Sequence, residues 1–279
     1  MTGTARAGFS FDGARISEYY GLMAVRHFDF TRARAHPVRD EFVRRLQLAR
    51  EPCEDEVSKP PLRYLLGELD RVLEPFRRVV RKLDITASRN PRTVMLLPGF
   101  ATHPVRMRYL ARNLEKAGHR VKRWGLGFNF GPTPENLELL EQRLLDLHRR
   151  SGEKVVLVGW SLGGLFAREL AHRHPDAVAK VVTMGSPFSH NPRSNNAWRA
   201  YQFVAGHRVD DAPINRDVRD KPPVETVALW SPRDGIVSPR SSRGRAGERD
   251  RAVALRCTHL GFSYSPEAIF AVLRELEAN

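Results

Sequence analysis

From Thr93 to the end of the chain, short apolar, β-branched runs alternate with amphipathic stretches, and most links between them are brief. The runs "TVMLL", "HRVKRW", "KVVLVG", "AVAKVVTMG", "VETVALWS" and "AVALRC" read as strands. Between them, "PVRMRYLARNLEKAG", "TPENLELLEQRLLDLHRRSG", "SLGGLFARELAHRHP" and the closing "SPEAIFAVLRELEA" repeat apolar residues at helical intervals. The punctuation agrees: Thr133 and Ser265 are placed to cap helices, Pro104, Pro134 and Pro266 to open them, and Gly118 and Gly152 to end them. A chain patterned this way has one economical solution, a compact and mostly parallel sheet covered by helices on both faces.

Two segments stand outside the alternation. Residues 1–90 read as a helical N-terminal extension and 91–279 as the main domain. Within the extension, Arg39–Arg50 suggests a helix. After a polar loop, "LRYLLGELDRVLEPFRRVVRKL" places Leu62, Leu65, Leu66, Leu69 and later apolar residues on one side, with Pro75 as a bend. That apolar face is expected to pack on the main domain, while its arginine-rich opposite face leaves room for a peripheral contact with a membrane surface. Residues 186–222 carry no strand pattern and one short helical candidate, "NNAWRAYQFVAG". Such an insertion is either a lid over a site or a long surface loop.

The chain has 279 residues, a formal net charge of +14 and two cysteines. Its length suits one substantial core. The positive charge is mostly arginine scattered among acids, densest in "SPRSSRGRAGERDR", with no helix-turn-helix, zinc-finger or aromatic RNP pattern beside it. Nucleic acid is therefore not the expected partner. No run approaches the roughly 20 apolar residues of a membrane span, and the N-terminus lacks a signal-peptide h-region; the expectation is a cytoplasmic protein. Neither a disulfide framework nor metal-ligand spacing is visible, so no metal and no cofactor is expected. The oligomeric state is not written in the sequence.

The segment with chemical meaning is Gly159-Trp160-Ser161-Leu162-Gly163-Gly164, where a β-branched strand runs straight into a helix. A Gly-x-Ser-x-Gly turn between strand and helix holds its serine in a strained, exposed position, and the glycines remove side chains that would collide. Behind Ser161 lies a helix N-terminus, with free N–H groups and a positive dipole end. Activation needs a base, and the order in such sheets is serine, acid, histidine. Asp234 follows a strand in "LWSPRDGIV" and His259 follows the last strand in "LRCTHLGF". His259 would take the Ser161 proton, and Asp234 would fix its tautomer.

The oxyanion donors are expected to be the Leu162 and Phe100 N–H groups, the latter from "LLPGF", with Ala101 as the alternative. Trp160 and His103 are candidate substrate contacts. Asp210, Asp211, Asp217 and Asp220 read as solvated charges in the insertion, Asp250 sits at the wrong end of a strand, and His190 and His207 are placed to line the site. Cys257 lies two residues before His259 without a third orienting group, and reads as a buried thiol.

This series of motifs, with "RWGLGFNFGPTPENL", "VTMGSPF", "SPRDGIV" and "THLGF", resembles the α/β-hydrolases, and among them bacterial lipase- and esterase-like members. The likeness covers residues 91–279, and Pro98-Gly99 stands where the family often has His-Gly. It implies a serine hydrolase acting on a small-molecule or lipid ester by way of an acyl-enzyme, with Ser161, Asp234 and His259 as triad and Phe100 and Leu162 as oxyanion donors. Acyl transfer or thioester cleavage would use the same triad, and a non-catalytic lipid-binding scaffold is the reading from another class. "WGLGFNFGPT" is a structural corner or a loop beside the acyl site.

Overall fold

A computed structural model of the chain describes residues 35–52, 59–68, 83–211 and 216–278. The chain divides into two units after Phe42, and residues 43–279 form the unit described below. Helix α1 spans Ala35–Arg50 and α2 spans Leu62–Gly67. Then follow β1 (Thr93–Leu97), α3 (Arg108–Lys116), β2 (Arg120–Arg123), α4 (Pro134–Ser151), β3 (Val155–Trp160), α5 (Leu162–Arg173) and β4 (Val178–Met184). Next come α6 (Trp198–Ala205), β5 (Glu225–Trp230), α7 (Pro239–Arg243), β6 (Arg251–Ala254) and α8 (Pro266–Glu277). Among the described residues, six strands make one sheet in the order β2-β1-β3-β4-β5-β6, with every neighbouring pair parallel.

The two-residue period of the strands builds two cores. Val94, Leu96, Val156, Val158, Val182, Met184, Val227 and Leu229 face α3 and α8, meeting Leu110, Leu114, Ile269 and Val272. Their neighbours Met95, Leu97, Val155, Leu157 and Val181 face α4 and α5, meeting Leu140, Leu144, Phe166 and Leu170. Interior strands β1 and β3 are buried along their full length, as a sheet covered on both faces demands. The outer strand β2 instead carries Arg120, Lys122 and Arg123, charges that discourage a further strand from pairing there.

The caps fall where the sequence places them. Thr133 accepts the Asn136 N–H at 3.1 Å, Ser265 accepts the Ala268 N–H at 3.2 Å, and Gly152 ends α4 in the left-handed region. One helix departs: its first turn, Pro104–Met107, is a 3-10 turn capped by the His103 ring, and α-geometry begins at Arg108. Strand order reverses between β1 and β3, and ligands of open parallel sheets bind outside the carboxyl ends of the strands at such a point. Pro98-Gly99-Phe100 and Ser161 lie at those two ends.

The extension differs from expectation in one respect. Leu62, Leu65 and Leu66 are exposed, and no residue of α2 is buried. Those three leucines therefore do not pack on the domain, whereas Leu83, at the far end of the same expected face, packs on the core; α2 meets the domain through its backbone and the adjoining Glu68. Pro75 and the rest of that helical stretch, 69–82, lie outside the described residues, as does Cys53. Among the described residues, no helix is long and apolar enough to cross a membrane.

Candidate active site

Ser161 has φ 53° and ψ −122°, a backbone conformation that L-residues rarely adopt. Its neighbours explain how the chain tolerates this. A Cβ on Gly159 would lie 2.4 Å from the Gly163 oxygen, and one on Gly163 would lie 2.2 Å from the Leu97 oxygen. The elbow is thus pressed against its own helix and against the end of β1, and only glycine fits. Ser161 is partly exposed and forms the cavity wall, with the N-terminus of α5 directly behind it.

At the ends of β5 and β6, Asp234 and His259 form a buried pair. His259 Nδ1 lies 2.7 Å from Asp234 Oδ2. The other carboxylate oxygen accepts the N–H groups of Ile236 (2.9 Å) and Val237 (2.7 Å), which fixes the acid's orientation. Burial opposes charge on His259, but the Asp234 carboxylate, through its charge and its hydrogen bond, and Glu68 at longer range outweigh it, so the imidazole pKa is raised above its ordinary value. In the neutral ring the Asp234-bound nitrogen then carries the proton and Nε2 is left free to accept one. Among the described residues, Ser161 Oγ makes no hydrogen bond; nucleophile–base contacts often tighten only when substrate is bound.

The loop after β1 supplies the second half of the site. A Cβ on Gly99 would lie 3.1 Å from the Ser161 Cβ, so this loop touches the elbow. The Ala101 N–H donates to the Asn129 carbonyl at 2.7 Å, which removes Ala101 as an oxyanion donor. Among the described residues, no acceptor engages the Phe100 or Leu162 N–H. Asn129 shapes this loop. It is fully buried, its Nδ2 donates to the Pro98 carbonyl at 2.7 Å, and its Oδ1 accepts the Gly131 N–H at 3.2 Å. The stretch Trp124–Thr133 therefore serves as a structural corner that braces the loop, with only Pro132 of that stretch reaching the cavity.

The cavity holds about 760 Å³. Its apolar wall is Phe100, Leu162, Leu165, Trp198, Tyr201 and Val237, and the Phe100 and Tyr201 rings meet at 5.1 Å between centroids. Much of the rest comes from the 186–222 insertion, so that segment forms a wall of the site; residues 212–215 of it lie outside the described residues. Asp210, Asp211 and Asp217 are exposed and also line the cavity, beside Arg216 and Arg219. His190 lines it too, whereas His207 contacts Tyr201 from outside.

Two expected substrate contacts are not in this wall. Trp160 is buried in the core on the α3–α8 face, and its Nε1–H donates to the His259 carbonyl at 3.0 Å. His103 is exposed, caps the 3-10 turn and packs on Phe128. Cys257 is buried, and burial pushes its thiol pKa well up, away from a nucleophilic thiolate. No group of three or more His, Cys, Asp or Glu among the described residues is placed to hold a metal ion.

One residue at the site carries no signal in the sequence. Glu68, 6% exposed, lies just after α2. Its Oε1 accepts the N–H of Gly235 at 3.2 Å and of His259 at 2.7 Å, and its Oε2 accepts the Leu260 N–H at 2.9 Å.

Comparisons with known proteins agree with this architecture. A family model described as the alpha/beta hydrolase fold matches residues 92–215. Over 68 residues the chain is 38% identical to a pimeloyl-[acyl-carrier protein] methyl ester esterase of Edwardsiella ictaluri, covering 24% of this chain and 25% of that protein. Over 84 residues it is 37% identical to the protein of the same name from Vibrio cholerae, covering 30% and 31%. The matched part thus spans a quarter to a third of these relatives' length. Among solved structures, one described as "LipS and LipT, two metagenome-derived lipolytic enzymes" is similar at a TM-score of 0.52 and 15% identity, covering 70% of this chain and 96% of that one. That likeness is one of fold.

Proposed function

We propose that this chain, which has the α/β-hydrolase fold, hydrolyses carboxylic esters through a covalent acyl-enzyme. The observation that carries the reading is the buried Asp234–His259 pair, whose His259 carbonyl is bound by Trp160, the residue before Ser161. Ser161 Oγ attacks the ester carbonyl carbon while His259 Nε2 takes its proton. The tetrahedral oxyanion receives the N–H groups of Phe100 and Leu162. Collapse breaks the bond to the alcohol, which leaves with the proton held by His259. Water, deprotonated by the same imidazole, then attacks the acyl carbon; the acyl–Oγ bond breaks, the imidazolium returns the proton to Ser161 Oγ, and the carboxylic acid leaves.

The cavity supports a substrate with an apolar portion lying between Phe100, Leu165, Trp198 and Tyr201. Small-molecule esters, lipid esters included, are the substrate class. The carrier-linked methyl ester named for the relatives is one member worth assaying.

The test is hydrolysis of p-nitrophenyl esters from acetate to palmitate, with fluorophosphonate labelling of the folded protein. The expected result is activity that falls at least about 10³-fold in Ser161→Ala, with the label on Ser161. Undiminished hydrolysis in Ser161→Ala, or a folded protein that takes no label, would overturn the reading.

A further inference from the structure

We infer that Glu68 is a positioning residue for the Asp234–His259 pair, a second buried carboxylate that clamps the acid loop to the base loop. The inference rests on the hydrolase reading and extends it to a residue supplied from before the sheet.

The geometry is specific. The three N–H groups that Glu68 accepts belong to Gly235, the residue after the acid, to His259 itself, and to Leu260, the residue after the base. A single side chain therefore spans the loops leaving β5 and β6. The distance between those loops is the distance across which Asp234 Oδ2 must meet His259 Nδ1. Main-chain N–H groups in buried loops need acceptors, and without Glu68 these three would have to find others.

The element that delivers Glu68 is itself fixed. A Cβ on Gly235 would lie 2.4 Å from the Tyr64 oxygen, so α2 rests directly on the acid loop. Asn196 Nδ2 donates to the carbonyls of both Pro60 (3.2 Å) and Gly235 (2.8 Å). Lys59 lies over the Trp198 ring, 5.6 Å from its centroid. Residues 59–68 are therefore stitched to the acid loop and to the insertion at the site's edge.

The clamp also acts electrostatically. Among the described residues, the titratable groups that act on His259 are Asp234 from the β5 loop and Glu68 beyond α2. The elbow contributes no ionisable side chain. Burial disfavours the imidazolium, Asp234 favours it most, and Glu68 adds to Asp234. A second negative charge is useful in the step where His259 holds the Ser161 proton.

The test compares the full chain with Glu68→Gln. The glutamine keeps the shape but turns one acceptor oxygen into an NH₂ that meets an N–H head on. We expect kcat to fall about 10- to 100-fold with KM little changed, and the acid limb of kcat/KM to move to lower pH as the added charge is lost. Glu153→Gln, at the opposite end of the sheet, is the comparison for stability loss without this effect. If Glu68→Gln gives no folded protein, Glu68→Asp is read instead. It keeps the charge but is too short to reach both loops, so kcat falls while the acid limb stays. Unchanged kcat and acid limb in Glu68→Gln, or unchanged kcat in Glu68→Asp, overturns the inference while leaving the hydrolase reading intact. A wild type that neither hydrolyses esters nor takes the label overturns both.

Discussion

Trp160 Nε1–H donates to the carbonyl of His259 at 3.0 Å, joining the residue before the candidate nucleophile to the backbone of the candidate base. The two residues are distant in sequence and lie on different strand ends. This bond fixes the height of the imidazole above the elbow, which no side-chain hydrogen bond from Ser161 does among the described residues.

Trp160→Phe should therefore retain the fold and impair catalysis. The ring still fills the α3–α8 core, but the His259 carbonyl loses its shorter hydrogen bond and keeps only the Phe262 N–H at 3.4 Å, at a cost of about 1 kcal/mol. The expected result is a kcat lowered about tenfold with KM nearly unchanged, measured beside the thermal midpoint. A variant with full kcat would reduce Trp160 to a packing residue.

The raised pKa of His259 sets the direction of pH dependence. In the proposed mechanism attack by Ser161 needs neutral imidazole, so kcat/KM should fall as pH drops through a value above the ordinary 6.5 of histidine. Asp234→Asn removes the larger of the two charges that raise it. Activity at pH 8 should drop about 10³- to 10⁴-fold, with the acid limb of the residual rate moved down. Stability changes in a linked way. A raised folded-state pKa contributes stability that is fully present below the unfolded value and is lost as pH rises through the folded one. The gap in thermal midpoint between wild type and Asp234→Asn should therefore narrow as pH is raised from 6 to 9. A constant gap would contradict the charge interaction.

What could be read in the sequence follows from where each residue sits. Ser161, Asp234 and His259 each stand just past an apolar run, so strand ends alone gather them at one edge of the sheet. Trp160 was misread as a substrate contact, because its place beside the serine outweighed the strand period of two that puts it on one buried face with Val156 and Val158. Glu68 was not legible, because its partners are backbone N–H groups 167 to 192 residues away, and backbone atoms leave no mark on composition. The leucines of α2 misled for a related reason. Helical spacing shows which residues share a face, but here Glu68 and the close approach of Tyr64 to Gly235 decide how the segment meets the domain.

Asn129 offers a separate test of the loop after β1. Its side chain satisfies the Pro98 carbonyl and the Gly131 N–H, and its own carbonyl takes the Ala101 N–H. Asn129→Ala leaves the first two without partners in a buried setting and should destabilise the fold by about 2–4 kcal/mol. The Phe100 N–H would also be less well aimed. The drop in kcat should be similar for acetate and longer acyl esters, because an oxyanion donor serves the carbonyl common to all of them. A loss confined to long chains would instead make this corner part of the acyl site.

Gly163 tests how tightly the elbow is pressed on its surroundings. A Cβ there would fall 2.2 Å from the Leu97 oxygen and 2.7 Å from the Pro98 oxygen, both backbone atoms that cannot rotate away. In Gly163→Ala, α5 must move off the end of β1, and Ser161, Leu162 and the Phe100 loop must part with it. Overpacking of this kind costs about 1–3 kcal/mol or more, which for a domain of this size lowers the thermal midpoint by about 2–12 °C. Gly127→Ala is the matched control, since nothing lies within 4 Å of a Cβ there and its φ is ordinary. The expected pair of results is a clear midpoint loss with slowed fluorophosphonate labelling in the first variant and neither in the second. Equal midpoints and equal labelling rates would mean that the elbow yields more easily than its contacts require.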